Sequence, residues 1–218
     1  GSMGWHLQHV IGHHVSTNAN DPDTYIIKKI HKQNIIWRII LYTLLVPFSV
    51  IQILTHPIFL LQKNKVVGIK LNYLSLKRII AELGLSIFLH INLNWTLLKF
   101  LSFIFGVGIV FFPISQFAHI TTLYKKPKRN LSWIENQVFH SLNFETNSRF
   151  WNIFSFGLTT QIEHHIFPSV SQTKHHLLSN GVQEICQQND IPYQSVSLKT
   201  IVSKTIKHII TGNHVDKC

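Results

Sequence analysis

The chain has 218 residues, 45% hydrophobic and only 13% charged, with Lys+Arg 20 against Asp+Glu 9 and a formal net charge of +11. A typical soluble domain carries roughly 25% charged residues, so the deficit points to lipid contact. The basic groups cluster at the edges of apolar runs (28–32, 63–65, Lys77/Arg78, 125–129) and not along one amphipathic face, which fits membrane anchoring and speaks against a nucleic-acid footprint.

At the start, Gly1-Ser2-Met3 reads as a vector remnant or as the interior of a longer protein, and no charged leader followed by an apolar run marks a signal peptide. A His-rich head over 5–14 and a polar link over 16–23 lead into an apolar stretch at 35–61. That stretch carries Arg38, Pro47, Gln52, His56 and Pro57, which suits a broken helix lying in the membrane interface. The next two apolar stretches predict spanning helices over 79–98 and 100–120. Residues 100–118 hold no charge, close to the roughly 20 apolar residues that cross a bilayer. The tail from 125 to 218 is mixed, with helical spacing near 134–139 and 182–187, a β-like run near 193–198, and breaks at Pro168 and Pro192. Cys186 and Cys218 are far apart and read as two free thiols facing a reducing cytosol.

Fifteen histidines are a large excess, and they concentrate in two compact clusters. The first holds His6, His9, His13 and His14; the second is Gln161-Ile-Glu-His164-His165. On an α-helix His9 and His13 share a face with His14 one residue round, and Gln161, His164 and His165 stand at i, i+3 and i+4. Two such helices aim several imidazoles into one volume. Imidazole binds iron, zinc, copper and nickel alike, so residue type alone does not name the metal. The isolated His31, His56, His90, His208 and His214 read as ordinary packing or solvated side chains. Structural zinc is the plain alternative for the clusters, but it favours thiolates and only four ligands.

The segments Trp5 to Asn18 and Gln161-Ile-Glu-His-His-Ile-Phe-Pro168 resemble the second and third histidine boxes of membrane fatty acid desaturases. A box headed by Gln is similar to the front-end and sphingolipid-type branch, as is Ile191-Pro-Tyr-Gln-Ser195, so the likeness covers nearly the whole chain. The resemblance implies an all-α integral membrane fold: a transmembrane hairpin, interfacial helices and a cytosolic His-rich cap holding two iron ions. It implies His9, His13, His14, His164, His165 and Gln161 as metal-site residues, with a further histidine from the end of the last membrane helix. His119 matches that position best, and His140, in Asn136-Gln-Val-Phe-His140, competes with it. Glu163 and Asn18 are candidates for hydrogen-bonding to the ligands, or equally for surface and helix-cap duty. The family's first box, His-Asp-x-x-His, and its cytochrome b5 domain have no counterpart here, so residues 1–218 read as the C-terminal part of a longer desaturase, inactive alone.

Both boxes must meet on one side of the membrane, so the chain between His14 and His119 crosses it an even number of times. The hairpin 79–98/100–120 satisfies this, leaves 35–61 at the interface and puts both basic clusters in the cytosol. Taking hydrogens from an unactivated methylene exceeds any side chain's chemistry, so the reaction belongs to metal and O2. The resemblance implies as partners a long-chain acyl substrate carried on CoA or lipid, cytochrome b5 or a similar electron donor, and membrane lipid, with the endoplasmic reticulum as the location. Two rivals stand: a diiron acyl hydroxylase, and a non-catalytic membrane scaffold that retains a metal site.

Overall fold

The computed structural model describes residues 6–15, 17, 29–46, 65–66, 69–70, 72–93, 95–119 and 130–212. Asn18, His56, the basic run 125–129, His214 and Cys218 lie outside them, as do the side chains of His6 and His90. The described part is mostly helical, with two short strand pairs that the all-α expectation lacked.

A π-helical segment, His6–His13, opens the chain. Helix α1 follows at Ile35–Val46, then a hairpin of β1 (Lys65–Val66) and β2 (Ile69–Lys70), paired antiparallel with Lys65 opposite Lys70. Helices α2 (Tyr73–Asn92) and α3 (Leu97–Phe117) come next. The cap comprises α4 (Trp133–Phe139), β3 (Asn143–Phe144), α5 (Arg149–Phe154), α6 (Gln161–Ile166), a 3-10 turn (Gln172–Leu177), α7 (Ser179–Gln188), β4 (Ser195–Val196) and α8 (Leu198–Thr211).

The boundary between the two long helices differs from the 79–98 and 100–120 expectation. Helix α2 begins at Tyr73 and takes Lys77 and Arg78 into its first turns. Thr96 starts α3 by accepting a hydrogen bond from the Lys99 amide at 3.3 Å, so Lys99 belongs to the first turn of α3 and does not follow the end of α2. A side-chain cap outweighed hydropathy, which carries no mark at such a junction. Helix α3 is the one helix among the described residues long and apolar enough to cross a membrane. Only Ile104 and Gly108 along it are buried, which is not how the core helix of a soluble domain packs.

Two small cores tie the cap to α3, and a third lies within the cap. Leu142, Phe144 and Ile201 pack with Ile114 and Phe117 at the end of α3. Val138, Ile162, Val182 and Cys186 join α4, α6 and α7; burial keeps the free Cys186 thiol protonated by pushing its pKa up. Ile30 and Tyr42 pack on Phe112 and Ile209, bringing α1 against α3 and α8. There His31 and Tyr42 Oη meet at 2.6 Å, and the His208 ring lies 4.4 Å from that of His31, so both histidines are buried packing groups. Gly212 closes α8 with φ +64, and Arg38 Nη2 donates to the Ile210 carbonyl at 2.8 Å. A Cβ on Gly212 would overlap the Arg38 guanidinium, so this left-handed position requires glycine.

The parallel pair β3–β4, with Asn143 opposite Ser195, closes a crossover that contains α5, α6 and α7. Glu145, held at φ +49, directs its carboxylate to the Leu198 amide at 2.6 Å, a favourable charge at the N-terminus of α8. The crossover is thereby fixed at both ends, and α6 is suspended inside it.

Candidate metal centre

Histidines 9, 13 and 14 converge because the head is a π-helix and not the α-helix its spacing predicts. The His14 amide donates to the His9 carbonyl at 3.0 Å, an i to i+5 bond. The wider turn brings i+4 and i+5 to either side of position i, so the three rings share a face that an α-helix would spread apart. All three are buried.

Helix α6 supplies the opposite wall. It is only six residues long, and Gln161, Ile162, Glu163, His164 and His165 are all buried, so every polar group on it needs a partner. Ile162 goes to the apolar core. His164 and His165 face the histidines of the head and His119, two residues past the end of α3.

Two sets of three nitrogens result: His9, His14 and His164, and His13, His119 and His165, each set offering ligand atoms within 4.8 Å of one another. His164 Nε2 lies 3.0 Å from His9 Nε2 and 3.2 Å from His14 Nε2, and His165 Nε2 lies 3.3 Å from His119 Nε2. Two nitrogens held at about 2.1 Å from one ion stand about 3.0 Å apart at right angles and about 3.4 Å at the tetrahedral angle. The separations fall in that interval. One N–H···N hydrogen bond accounts for a single close approach, not for three nitrogens converging twice. The sets share a wall, with His14 stacked on His165 at 4.3 Å.

The protonation states suit ligation. Burial, followed by repulsion from neighbouring imidazoles, holds His164 and His165 well below the ordinary histidine pKa. They are neutral at pH 7, the form that offers a nitrogen lone pair. Hydrogen bonds select the ligating atom. His119 Nδ1 donates to the His140 carbonyl at 3.2 Å and His165 Nδ1 donates to Gln137 Oε1 at 2.9 Å, which leaves Nε2 of each for a metal. His140 is buried but stands in neither set; its backbone, not its ring, supports His119. Gln161 is buried at the first position of α6.

Gln137 was not evident from the sequence. It is fully buried, and besides His165 it reaches the His14 carbonyl through Nε2 at 2.9 Å; Thr17 Oγ1 lies 2.9 Å from both Gln137 Oε1 and the His13 carbonyl. One amide thus ties the head to α6. The only available signal was a glutamine beside Val138 on a short helix. His175, on the 3-10 turn, was also passed over: its ring lies 5.7 Å from His164, and burial lowers its pKa.

Glu163 faces away from the imidazoles into a second network. Tyr193 Oη donates to its Oε1 at 2.7 Å and Asn143 Nδ2 to its Oε2 at 2.8 Å, while Asn143 Oδ1 accepts the Ile162 amide at 2.9 Å. Burial and the adjacent carboxylate raise the Tyr193 pKa, so the phenol stays a donor. Both carboxylate oxygens are engaged, which gives Glu163 the task of fixing α6 and not surface duty.

Beside the cap, a cleft of about 320 Å³ with an almost wholly apolar wall runs between α3 (Val107, Val110, Ile114) and Phe154, Phe156 and Leu158. Thr159 and Thr160 alone separate it in sequence from α6.

The fatty acid desaturase family profile matches residues 2–197. Among curated proteins, the chain is 31% identical over 114 residues to the sn-1 linoleoyl-lipid 6-desaturase of Synechocystis sp., covering 49% of this chain and 30% of that protein. It is 29% identical over 112 residues to the acyl-lipid (8-3)-desaturase of Thraustochytrium sp., covering 50% and 25%. The acyl-lipid (8-3)-desaturase of Physcomitrium patens is 25% identical over 222 residues, 88% of this chain and 46% of that protein. The chain therefore spans less than half the length of these relatives. No solved structure matches.

Proposed function

This chain belongs to the fatty acid desaturase family, and we propose that it is the iron-binding part of a front-end-type desaturase that uses O2 to insert a double bond into a long acyl chain. The convergence of two three-histidine sets carries the reading. The set His9, His14 and His164 would hold one iron and the set His13, His119 and His165 the other, with Gln161 at the edge of the site. Iron so bound supplies the oxidising power that no side chain has. The protein's own residues keep His164 and His165 neutral by burial, leave Nε2 of His165 free through Gln137 and Nε2 of His119 free through the His140 carbonyl, and lock α6 through Glu163. With three imidazole nitrogens each, the two sets would hold iron without filling its coordination sphere.

Relatives named for acyl-lipid substrates and one named for stearoyl-CoA support a long acyl chain carried on lipid or CoA as the substrate class. The apolar cleft is of a size to take part of such a chain. In this reading α3, about 30 Å long, is the spanning arm, and α2, of similar length but charged at Lys77, Arg78 and Glu82 in its first half, is the proposed second arm of the hairpin. Leu85, Phe88 and Ile91 on α2 and Leu101, Phe103 and Phe105 on α3 point outward, as lipid contact requires. The basic pair Lys77 and Arg78 at the start of α2 supports a cytosolic metal centre on this reading, with the endoplasmic reticulum as the proposed membrane and cytochrome b5 or a similar donor as the proposed source of electrons.

The test is product analysis of the full-length protein expressed in a eukaryotic membrane with its electron donor. A new double bond in acyl-lipid, lost in His164→Ala at equal protein level, is the expected result. An alcohol in place of an alkene makes the protein a hydroxylase. Bound iron without oxygen consumption makes it a scaffold.

A further inference from the structure

The stretch between β3 and α6 is built inside out. Past the exposed Asn147 and Arg149 its polar residues turn inward: Asn152 Nδ2 donates to Thr159 Oγ1 at 3.3 Å, the Asn152 carbonyl accepts the Gly157 amide at 2.8 Å, and Thr160 Oγ1 donates to the Gly157 carbonyl at 2.9 Å. Its apolar residues face outward. Phe150, Ile153 and Phe154 stand at i, i+3 and i+4 on α5 with 65%, 65% and 45% of their surface exposed, and Phe156 is 74% exposed. Leaving such side chains in water forgoes about 1.5–3 kcal/mol each.

The backbone is committed to this arrangement. Phe156 adopts φ +54, a left-handed conformation that a bulky residue takes only at a cost on the order of 1–3 kcal/mol. Gly157 follows at φ +86, where a Cβ would meet the Gln172 carbonyl oxygen at 2.5 Å. The turn is thus pinned against the 3-10 segment while Phe156 projects.

What covers this face follows from its continuity with α3. Phe154 and Phe156 wall the same cleft as Val107, Val110 and Ile114. Those positions lie three to ten residues before the end of α3 at Phe117, about 5–15 Å along its axis. Side chains at that depth beside a membrane-crossing helix stand in hydrocarbon. We infer that α5 and the Phe156 turn form a wedge inserted into the acyl-chain region of the bilayer beside α3. The occupant of the face is lipid hydrocarbon. This rests on the membrane reading of α3 and is independent of the metal. The wedge sets the height of α6 at the bilayer surface and opens the cleft sideways to a chain carried in the membrane.

The experiment uses the full-length protein in phosphatidylcholine vesicles, with Cys186→Ala and Cys218→Ser as background and single cysteines bearing an NBD fluorophore. Phe156→Cys is the test position and Phe150→Cys the second, should the turn tolerate no change. Ile185→Cys on α7 is the aqueous control, and Phe103→Cys on α3 the membrane reference. Nitroxide-bearing lipid should quench the Phe156 and Phe150 probes at least threefold more than the Ile185 probe, and iodide should do the reverse. Iodide quenching at Phe156 equal to that at Ile185 overturns the wedge, as does protection from both quenchers, which would mean a protein cover. If the Phe103 probe still responds to lipid in either case, the wedge alone fails; if it does not, the membrane reading of α3 fails with it.

Discussion

Replacing Gln137 by Leu removes a side chain that touches no metal yet holds two walls of the site together. The substitution keeps most of the volume and deletes the acceptor for His165 Nδ1 and the donor to the His14 carbonyl, both at 2.9 Å. Thr17 retains the His13 carbonyl at 2.9 Å, so its loss is small. Two buried hydrogen bonds are lost, with Thr17 Oγ1 at 3.4 Å the remaining neighbour of His165 Nδ1, at a cost of about 1–3 kcal/mol each and at most about 4 kcal/mol together. A domain of ordinary stability, about 5–15 kcal/mol, survives that loss. Iron binding suffers separately, since a ligand whose outer hydrogen bond is gone loses its fixed tautomer, and affinity falls about 10–100-fold. Gln137→Glu keeps an acceptor for His165 and is expected to hold iron far better than Gln137→Leu. The assay is iron retained by the purified full-length protein against graded chelator, with thermal unfolding measured in parallel. Iron retention by Gln137→Leu equal to that of the unmodified protein would refute the reasoning, whatever the unfolding temperature.

The two histidine sets make separable predictions. Each of His164→Ala and His165→Ala should lower iron from about two per chain toward one, and the double variant should remove both, as read by metal analysis and Mössbauer spectra; equal loss of all iron in each single variant would mean the sets do not act as two sites. His119→Ala should behave like His165→Ala, whereas His140→Ala should keep two irons, because it supports His119 through its carbonyl and stands in neither histidine set. For topology, a cysteine beside Lys99 should react only with a reagent supplied from the lumen and one beside Lys126 only from the cytosol; reaction of both from one side removes the hairpin. Gln161→His should keep iron and some turnover, since a nitrogen replaces the amide, whereas Gln161→Ile should lose most activity. Near-normal desaturation by Gln161→Ile takes Gln161 out of the site.

The clustering of histidines was legible because ligand chemistry restricts residue type, and spacing of i, i+4, i+5 marks one helix face. What spacing could not convey was the helix type: a π turn, and not an α turn, brings His14 alongside His9 and His13. His119 stood out at the end of an apolar run, but the reason its Nδ1 is occupied lies in a backbone carbonyl 21 residues away. Gln137 meets the His14 carbonyl across 123 residues, and no local pattern records a partner at that distance. The limits of α2 and α3 were misplaced because Thr96, a single hydroxyl in an apolar region, decides where α3 begins. The spacing of Phe150, Ile153 and Phe154 does not tell core from surface, and the exposure of these side chains with the inward turn of Asn152 and Thr160 shows that this face is surface.

The role of Glu163 follows from charge. Six neutral imidazoles cannot balance two metal ions, and Glu163 is the only fully buried carboxylate among the described residues. It adjoins His164 in sequence and is held by Asn143 from β3 and Tyr193 from the far end of the crossover. The carboxylate is therefore fixed only once β4 has paired with β3, which makes the C-terminal segment part of the site's electrostatics. Two substitutions separate charge from anchoring. Glu163→Gln keeps the shape and one acceptor but removes the negative charge, so it should raise the iron reduction potential by on the order of tens of mV, because the oxidised ion loses its counter-charge. Tyr193→Phe keeps the charge and the ring but removes a hydrogen bond to a charged group, costing about 1.5–3 kcal/mol of stability. Its potential should move far less. Redox titration and thermal unfolding of both variants decide the matter: an unchanged potential in Glu163→Gln would leave the carboxylate with a purely structural task.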